Sequence, residues 1–195
     1  MTTTPGLWER NRQAAYAEIE ATAIRLFLEG GFEATTVDQI VAEAGISRRS
    51  FFRYFGTKED ILLGRLAGQG PQLQAALEAR PPDEGPWEAL RAALWTLEPI
   101  GSTPEEQIAI GRMLHDTPSL RARSAEKHLG WQRLLAPEIR RRLGSDPQDG
   151  SDPRADAIVA SALACLDVVG EIWARSNGTL DLGELADAAI AAVRA

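Results

Sequence analysis

The segment from Thr36 to Lys58 constrains the fold of this chain most, because its pattern predicts two short helices joined at a tight turn. Thr36 can cap the first helix, and Ser47 can cap the second, with a side-chain hydroxyl. Gly45 lies between them, where a sharp turn often needs a positive φ that glycine adopts without steric penalty. This arrangement is typical of a helix-turn-helix, whose second helix normally enters the major groove of DNA.

The second predicted helix has an apolar face and a basic face. Phe51 and Phe55 are four residues apart, so they share the face that must be buried. Between Ser47 and Lys58 there are four basic residues and no acidic one, although the whole chain has 21 Lys and Arg against 28 Asp and Glu. A basic cluster on an acidic protein is typical of a phosphate-binding surface, and a merely solvated basic helix is the alternative.

Length and composition are those of an ordinary globular protein. The 195 residues suffice for one or two small domains, and 44% of them are hydrophobic. No apolar run approaches the roughly 20 residues that span a bilayer, and the first residues lack a signal-peptide core, so we expect a cytoplasmic protein without a membrane partner. The single cysteine, Cys165, excludes an internal disulfide, and no Cys/His cluster has metal-ligand spacing, so we expect neither metal nor cofactor.

Helical periodicity and the breaks between periodic segments predict an all-α fold of about nine helices. Gly68 and Pro71 are expected to kink or interrupt the helix that follows the turn motif, and Pro137 to kink or end a later one. Whether Arg10 and Arg12 reach a minor groove or are merely solvated stays open. The expected parts are a flexible arm (1–12), a three-helix helix-turn-helix domain (13–56) and a regulatory and dimerisation domain (57–195) that begins with a connecting helix (57–80).

The N-terminal third resembles a known family. A long helix, a GGF corner, TTVDQIVAEAGIS and RRSFFRYFGTKEDIL are similar to the DNA-binding domain of the TetR family of transcriptional regulators. The resemblance implies a homodimer that binds double-stranded DNA under the control of a small molecule, with repression favoured. Position 52 is commonly tyrosine in that family, and Phe52 lacks the hydroxyl. The positions that the resemblance places at DNA are Thr36, Ser47, Arg48, Arg49, Ser50, Phe52, Arg53, Tyr54 and Lys58.

The C-terminal part is helical by pattern and carries four of the five tryptophans. Aromatic walls with a few polar groups are typical of a small-molecule pocket and equally of a well-packed helical core. The family resemblance favours a pocket. Its expected residues are Trp95, Met113, His115, His128, Trp131, Leu135, Leu166 and Trp173.

A second, more distant resemblance covers the stretches IGRMLHDTPSLRARSAEKHLGW and EIRRRLG. They are similar to the C-terminal domain of mycofactocin-associated regulators. That resemblance implies acyl-CoA or another long apolar effector, with Arg112, Arg121 or Arg123 available to its phosphates. Three further arginines, at positions 140–142, either complement the negative end of a helix or form a second nucleic-acid patch.

The last two predicted helices are apolar over more than one face. This pattern is expected of helices that pack on their own domain and on a partner subunit, and an ordinary buried core explains it nearly as well. The family resemblance implies a dimer interface here. Its expected residues are Ile158, Ala162, Leu166, Val169, Leu185, Ala189 and Val193.

Two other function classes compete with a regulator. For an enzyme, His115 and Asp116 are adjacent but diverge on a helix, Cys165 lies on an apolar face, and the sequence has no nucleophile elbow or phosphate loop. We therefore expect no enzyme. A dimeric helical adaptor or ligand-binding protein without sequence-specific DNA binding is the alternative, and the intact basic cluster argues against it.

Overall fold

The computed structural model describes residues 6–194, with the backbone alone for residues 7–9 and 11. All regular secondary structure in this range is helical, so the expected all-α class is confirmed. The helices are α1 (Leu7–Gly30), α2 (Val37–Glu43), α3 (Arg48–Tyr54), α4 (Glu59–Gly68), α5 (Gly70–Glu78), α6 (Pro86–Leu94), α7 (Pro104–Asp116), α8 (Pro118–Arg142), α9 (Pro153–Arg175) and α10 (Leu182–Arg194).

The chain divides into two compact units, Met1–Gly64 and Arg65–Ala195. The division falls within α4, and only Gln69 separates α4 from α5. The single connecting helix expected over residues 57–80 is therefore two helices, interrupted where Gly68 and Pro71 predicted a break.

The N-terminal unit is built on α1, which begins at Leu7 because no glycine or proline follows Gly6 before Gly30. Residues 7–12 thus continue this helix, and residues 1–5 of the expected arm lie outside the described residues. Helix α2 packs against both α1 and α3. The core that these helices share with the start of α4 consists of Ile19, Ala23, Phe27, Phe32, Ile40, Val41, Phe51, Phe55, Ile61, Leu62 and Leu63.

Helix α9 is the central helix of the C-terminal unit. It is long and apolar enough to cross a membrane by length and composition, contrary to the expectation that no segment of the chain approaches that limit. It packs against α6, α7, α8 and α10, and a core helix of a globular protein passes the same test. Packing within the unit therefore explains the buried apolar side chains of α9, such as Val159 and Leu163, but not those that stay exposed.

Helix α8 continues through Pro137, which lies inside it, and ends at Arg142. A proline removes one helical hydrogen bond, but its neighbours Leu135, Ala136 and Ile139 are all buried and hold this part of α8 in the core.

Arg142 has a structural role that differs from the one predicted at the end of α8. Its side chain is only 2% exposed and forms an ion pair with Glu138 at 3.0 Å. Its two terminal nitrogens donate to backbone oxygens at the end of α5 and in the following loop. These acceptors and distances are Leu77 (3.1 Å), Arg80 (3.1 Å), Pro81 (2.8 Å) and Glu84 (3.1 Å). Arg142 thus caps the C-terminal carbonyls of α5.

Candidate DNA-reading surface and ligand cavity

Side-chain caps fix the first turns of α2 and α3. Each of these helices has seven residues, too few to be stable in isolation. The Thr36 hydroxyl accepts a hydrogen bond from the Gln39 backbone N–H at 3.2 Å, and the Gln39 side-chain oxygen accepts one from the Thr36 N–H at 2.8 Å. This reciprocal pair is a capping box. The Ser47 hydroxyl accepts from the Ser50 N–H at 3.1 Å, so both predicted caps are present.

The corner between the two helices is made at Gly45, whose φ is +65°. A side chain at this φ would be strained, so glycine permits the turn. The Ile46 N–H then donates to the Val41 carbonyl oxygen at 3.0 Å, as expected after a left-handed residue at a helix end. The angle at which α3 leaves α2 is thereby fixed by the backbone.

The inward face of α3 packs on α1. Phe51 is fully buried, Phe55 is 2% exposed, and their ring centroids are 5.4 Å apart. The Phe55 ring also lies 4.5 Å from the ring of Tyr16 in α1. The aromatic pair predicted to be buried thus anchors α3, so its opposite face is held rigidly toward solvent.

The outward face of α3 carries cations without carboxylate partners. Arg49 and Arg53 are both exposed. Within the described residues Arg49 makes no hydrogen bond or ion pair, and Arg53 is placed 5.2 Å above the ring of Tyr54. Phe52 is 47% exposed and contacts Phe51 edge-on. Two exposed guanidinium groups without acidic partners, together with an exposed aromatic ring, can contact phosphates and base edges.

Arg48 is also exposed, but it pairs with an acid on α2. One of its terminal nitrogens donates to both carboxylate oxygens of Asp38, at 2.7 and 2.9 Å. The two side chains are 60% and 67% exposed. Exposed ion pairs of this kind contribute little free energy, so a phosphate can compete with Asp38 for this arginine.

Lys58 has an internal role that the sequence did not predict. Its ammonium group donates to the carbonyl oxygens of Phe32 at 2.6 Å and Thr35 at 3.0 Å, and it lies 4.2 Å from the Phe32 ring centroid. These contacts tie the segment before α4 to the corner between α1 and α2. An ammonium has three N–H donors, so one remains for a phosphate.

The C-terminal unit contains a cavity of about 470 Å³ with mostly apolar walls. Five predicted pocket residues line it: Trp95, His115, Trp131, Leu166 and Trp173. Three predicted residues, Met113, His128 and Leu135, do not line it. Leu135 is fully buried in the core, and His128 turns to Asp167, whose carboxylate lies 3.2 Å from its Nδ1.

The cavity also has a cationic wall residue that sequence reasoning missed. Lys127 of α8 lines the cavity and places its ammonium group 4.3 Å from the ring centroid of Trp131. Burial lowers the pKa of Lys127 to about 8, and the nearby charge of Asp167 only partly offsets this effect. Nothing in the local pattern distinguishes this lysine from a solvated one.

The arginines expected at the phosphates of an acyl-CoA do not line this cavity. Arg112 donates to the backbone oxygen of Ala174 at 3.0 Å and to the side chain of Asn177, so it caps the end of α9. Arg123 pairs with Glu126 one turn away on α8. The third, Arg121, is exposed.

The predicted interface residues occupy three kinds of position. Ala162 and Val169 are buried within the chain, and Leu166 lines the cavity. Ile158, Leu185 and Ala189 are half-buried, whereas Val193 is 50% exposed. The solvent face of α9 carries instead a stripe of exposed apolar side chains: Ala157, Ala160, Ala164, Val168 and Ile172.

Two family models match this chain. The model described as bacterial regulatory proteins of the tetR family matches residues 19–64, and the model described as the MftR C-terminal domain matches residues 84–195. The first therefore covers the helix-turn-helix, and the second covers α6 to α10.

Two curated relatives are similar over most of the chain. The HTH-type transcriptional regulator TcmR of Streptomyces glaucescens is 32% identical over 176 residues, which are 87% of this chain and 77% of TcmR. MftR of Mycobacterium tuberculosis, named as a mycofactocin biosynthesis transcriptional regulator, is 34% identical over 145 residues, which are 72% of this chain and 71% of MftR.

Among solved structures, NalD of Pseudomonas aeruginosa has a similar fold. NalD is described as the secondary repressor of the MexAB-OprM multidrug efflux pump. It superposes with a TM-score of 0.55 over 93% of this chain and 94% of its own, at 21% sequence identity. At that identity the similarity concerns the fold alone.

Proposed function

The chain belongs to the TetR family of transcriptional regulators, and from that premise we propose that it is a ligand-controlled repressor that binds a pseudo-palindromic operator as a homodimer. The expected helix-turn-helix regulator is confirmed at the level of the family, as is the expectation that the chain is not an enzyme. Repression, dimerisation and control by an effector go beyond the family assignment and are our proposals. A cytoplasmic location is proposed with them, because the DNA that such a regulator binds lies there.

Sequence-specific DNA binding is supported chiefly by the outward face of α3. Arg49 and Arg53 are exposed and unpaired by acids, and the helix that presents them is fixed by its caps and by buried aromatic rings. We assign base contacts to Arg49, Arg53 and Ser50. Arg48 reaches either a base or a phosphate once it leaves Asp38. Phosphate contacts are assigned to Thr36, Tyr54 and the remaining donor of Lys58.

Dimerisation is supported by the exposed stripe on α9. Val168 is 49% exposed and Ile172 is 41% exposed, and the stripe continues through small alanines that allow two helices to approach closely. A two-fold interface would place the same stripe of each subunit against the other. We therefore propose Ala157, Ala164, Val168 and Ile172, together with Val193 of α10, in preference to the buried Ala162 and Val169.

Control by an effector is supported by the way the cavity meets α4. Leu66 of α4 lines the cavity, and the Trp131 indole N–H donates to the backbone oxygen of Ala67 at 3.4 Å. The same helix extends back to Glu59, next to the capped turn in which Thr57 and Asp60 exchange hydrogen bonds. A molecule that displaces Leu66 or Trp131 would shift the end of α4. It changes DNA binding only if its affinity differs between the two conformers.

Selection of bound sequences from random duplex DNA tests this function most broadly. A dimer of this family predicts an inverted-repeat consensus whose half-site centres are about 34–36 Å, or one helical turn, apart or a multiple of that spacing. If no sequence is enriched, the result would favour the helical adaptor. A single half-site without a repeat would contradict the two-fold dimer.

A further inference from the structure

The cavity of the C-terminal unit combines an apolar wall with one cation that lacks an anionic hydrogen-bond partner. Its walls include the indoles of Trp95, Trp131 and Trp173, and Lys127 is the positively charged residue among its lining side chains. Within the described residues the Lys127 ammonium makes no hydrogen bond or ion pair, and it lies over the Trp131 ring. The side chain of Lys127 is half-buried, and the nearby charge of Asp167 only partly compensates the desolvation of its ammonium group.

We propose that the effector is an apolar organic acid, whose carboxylate pairs with the ammonium of Lys127 while its hydrocarbon body lies against the three indoles. This proposal rests on the proposed function in one respect, because it takes the cavity as the effector site. It adds the chemical class of the ligand and the residue that recognises it.

The energetic reason is the cost of leaving an ammonium away from water without an anion. Desolvation disfavours the charged form, in agreement with the lowered pKa of Lys127. A ligand carboxylate would restore both a charge partner and hydrogen-bond acceptors, and such charge-assisted bonds are stronger than neutral ones. A neutral ligand of the same shape would leave the ammonium as it is. The site should therefore discriminate between an acid and its ester.

Two acidic residues, Glu98 and Asp167, also line the cavity, but they do not favour a cationic ligand instead. The Asp167 carboxylate is already 3.2 Å from His128 Nδ1, and its side chain is 48% exposed. Glu98 is exposed; its backbone N–H donates to the Gln69 side-chain oxygen, and its backbone oxygen accepts from the Gln69 side-chain nitrogen. Lys127 is thus the charge that faces the apolar volume with least solvent.

The same observations argue against an acyl-CoA thioester as the preferred ligand. The acyl end of a thioester carries no charge for Lys127, and its phosphates need cations outside the apolar volume. Arg112, Arg121 and Arg123, which were expected to supply them, do not line the cavity. A free acid needs only one cation for its carboxylate and an apolar wall for its body, and the cavity contains both.

Matched pairs of probes test this proposal on the full-length protein. Biphenyl-4-carboxylate and its methyl ester form the aromatic pair, and dodecanoate and methyl dodecanoate form the alkyl pair. Binding is followed without DNA, by calorimetry and by the fluorescence of the indoles that line the cavity. We expect at least one acid to bind about tenfold or more tightly than its ester, since loss of one partner of a desolvated charge pair is costly.

Lys127→Met should remove this preference by weakening the acid about tenfold or more while leaving the ester within about twofold. Lys127→Arg should keep part of the preference. Arg123→Met is the matched control, because Arg123 lies on the same helix outside the cavity and should bind both probes as the parent does. Thermal unfolding of each variant separates loss of the charge from loss of the fold.

Three outcomes would overturn the proposal. They are equal binding of acid and ester by the parent protein, a preference that survives in Lys127→Met, and no binding of either acid at millimolar concentration. Tighter binding of dodecanoyl-CoA than of dodecanoate would overturn it as well.

Release of DNA is measured separately. If the acids bind through Lys127 without affecting DNA, the proposed control by this cavity fails while the ligand class stands. If esters and acids release DNA equally well, the proposed control stands and the ligand class fails.

Discussion

Among the described residues, Arg49 and Arg53 of the N-terminal unit lack an acidic partner and lie on an exposed helix face, whereas Lys127 of the C-terminal unit lacks one and lies in an apolar cavity. An exposed face suits an extended polyanion that several cations contact at once. A cavity suits a single small anion, because it removes water from one cation only. We therefore expect Arg49 and Arg53 to bind an extended polyanion and Lys127 to bind a single small anion.

Each unit also contains a cation that donates hydrogen bonds to backbone oxygens of the protein itself. Lys58 donates to two carbonyl oxygens of the N-terminal unit, and Arg142 donates to four of the C-terminal unit. These side chains are expected to stabilise the fold, whereas Arg49, Arg53 and Lys127 are expected to bind ligands. Substituting one cation at a time tests whether it stabilises the fold or binds a ligand.

The largest effect is expected from Arg142→Met. The substitution leaves Glu138 buried without this partner and four backbone oxygens without their donor. Breaking a buried ion pair in this way costs about 3–5 kcal/mol of stability. Denaturant unfolding followed by tryptophan fluorescence measures the loss. Arg141→Met is the control, because the Arg141 side chain is 59% exposed although it also pairs with Glu138. Equal unfolding midpoints for the two variants would contradict the structural role of Arg142.

A smaller loss of stability is expected from Lys58→Met, confined to the N-terminal unit. The carbonyl oxygens of Phe32 and Thr35 would lose their donor, at a cost of about 1–3 kcal/mol. Amide hydrogen exchange in α1 and α2 reports this cost. The exposed and unpartnered Arg49→Met should leave exchange unchanged.

The salt dependence of DNA binding then decides whether Lys58 also contacts a phosphate. A slope reduced by about one in Lys58→Met would support the phosphate contact that the family resemblance implies. An unchanged slope would assign Lys58 to the fold alone.

The reading surface was predictable from the sequence because it depends on local spacing. Thr36 and Gln39 are three residues apart, Phe51 and Phe55 are four apart, and Gly45 marks the turn itself. Each of these features is decided within one or two helical turns. The caps, the turn and the buried pair are therefore all predictable from the sequence.

The partners of the cations were not predictable, because they come from distant parts of the chain. Lys58 meets Phe32 and Thr35, which are 26 and 23 residues away. Lys127 and Asp167 belong to different helices, and only the packing of α8 on α9 brings them to one cavity. The sequence alone does not distinguish a basic residue that donates to a backbone carbonyl from one that binds a ligand.

The sequence likewise did not predict which apolar faces of the C-terminal helices are exposed. Periodicity identifies which residues of α9 are apolar, but not which face its own neighbours cover. Ala162 and Val169 are covered by the chain itself, whereas Val168 remains exposed beside them. The expected interface residues therefore mix covered and exposed positions.

The division between structural and ligand-binding cations is tested most directly by Arg49→Ala, measured for affinity to the selected operator and to random duplex at one salt concentration. We predict a loss of about 1–3 kcal/mol on the operator, a clearly smaller loss on random duplex, and relaxed preference at one base pair of each half-site. The unfolding midpoint should stay that of the parent protein. Equal losses on both duplexes would contradict base reading by Arg49, and a lowered unfolding midpoint would show that this cation belongs to the fold.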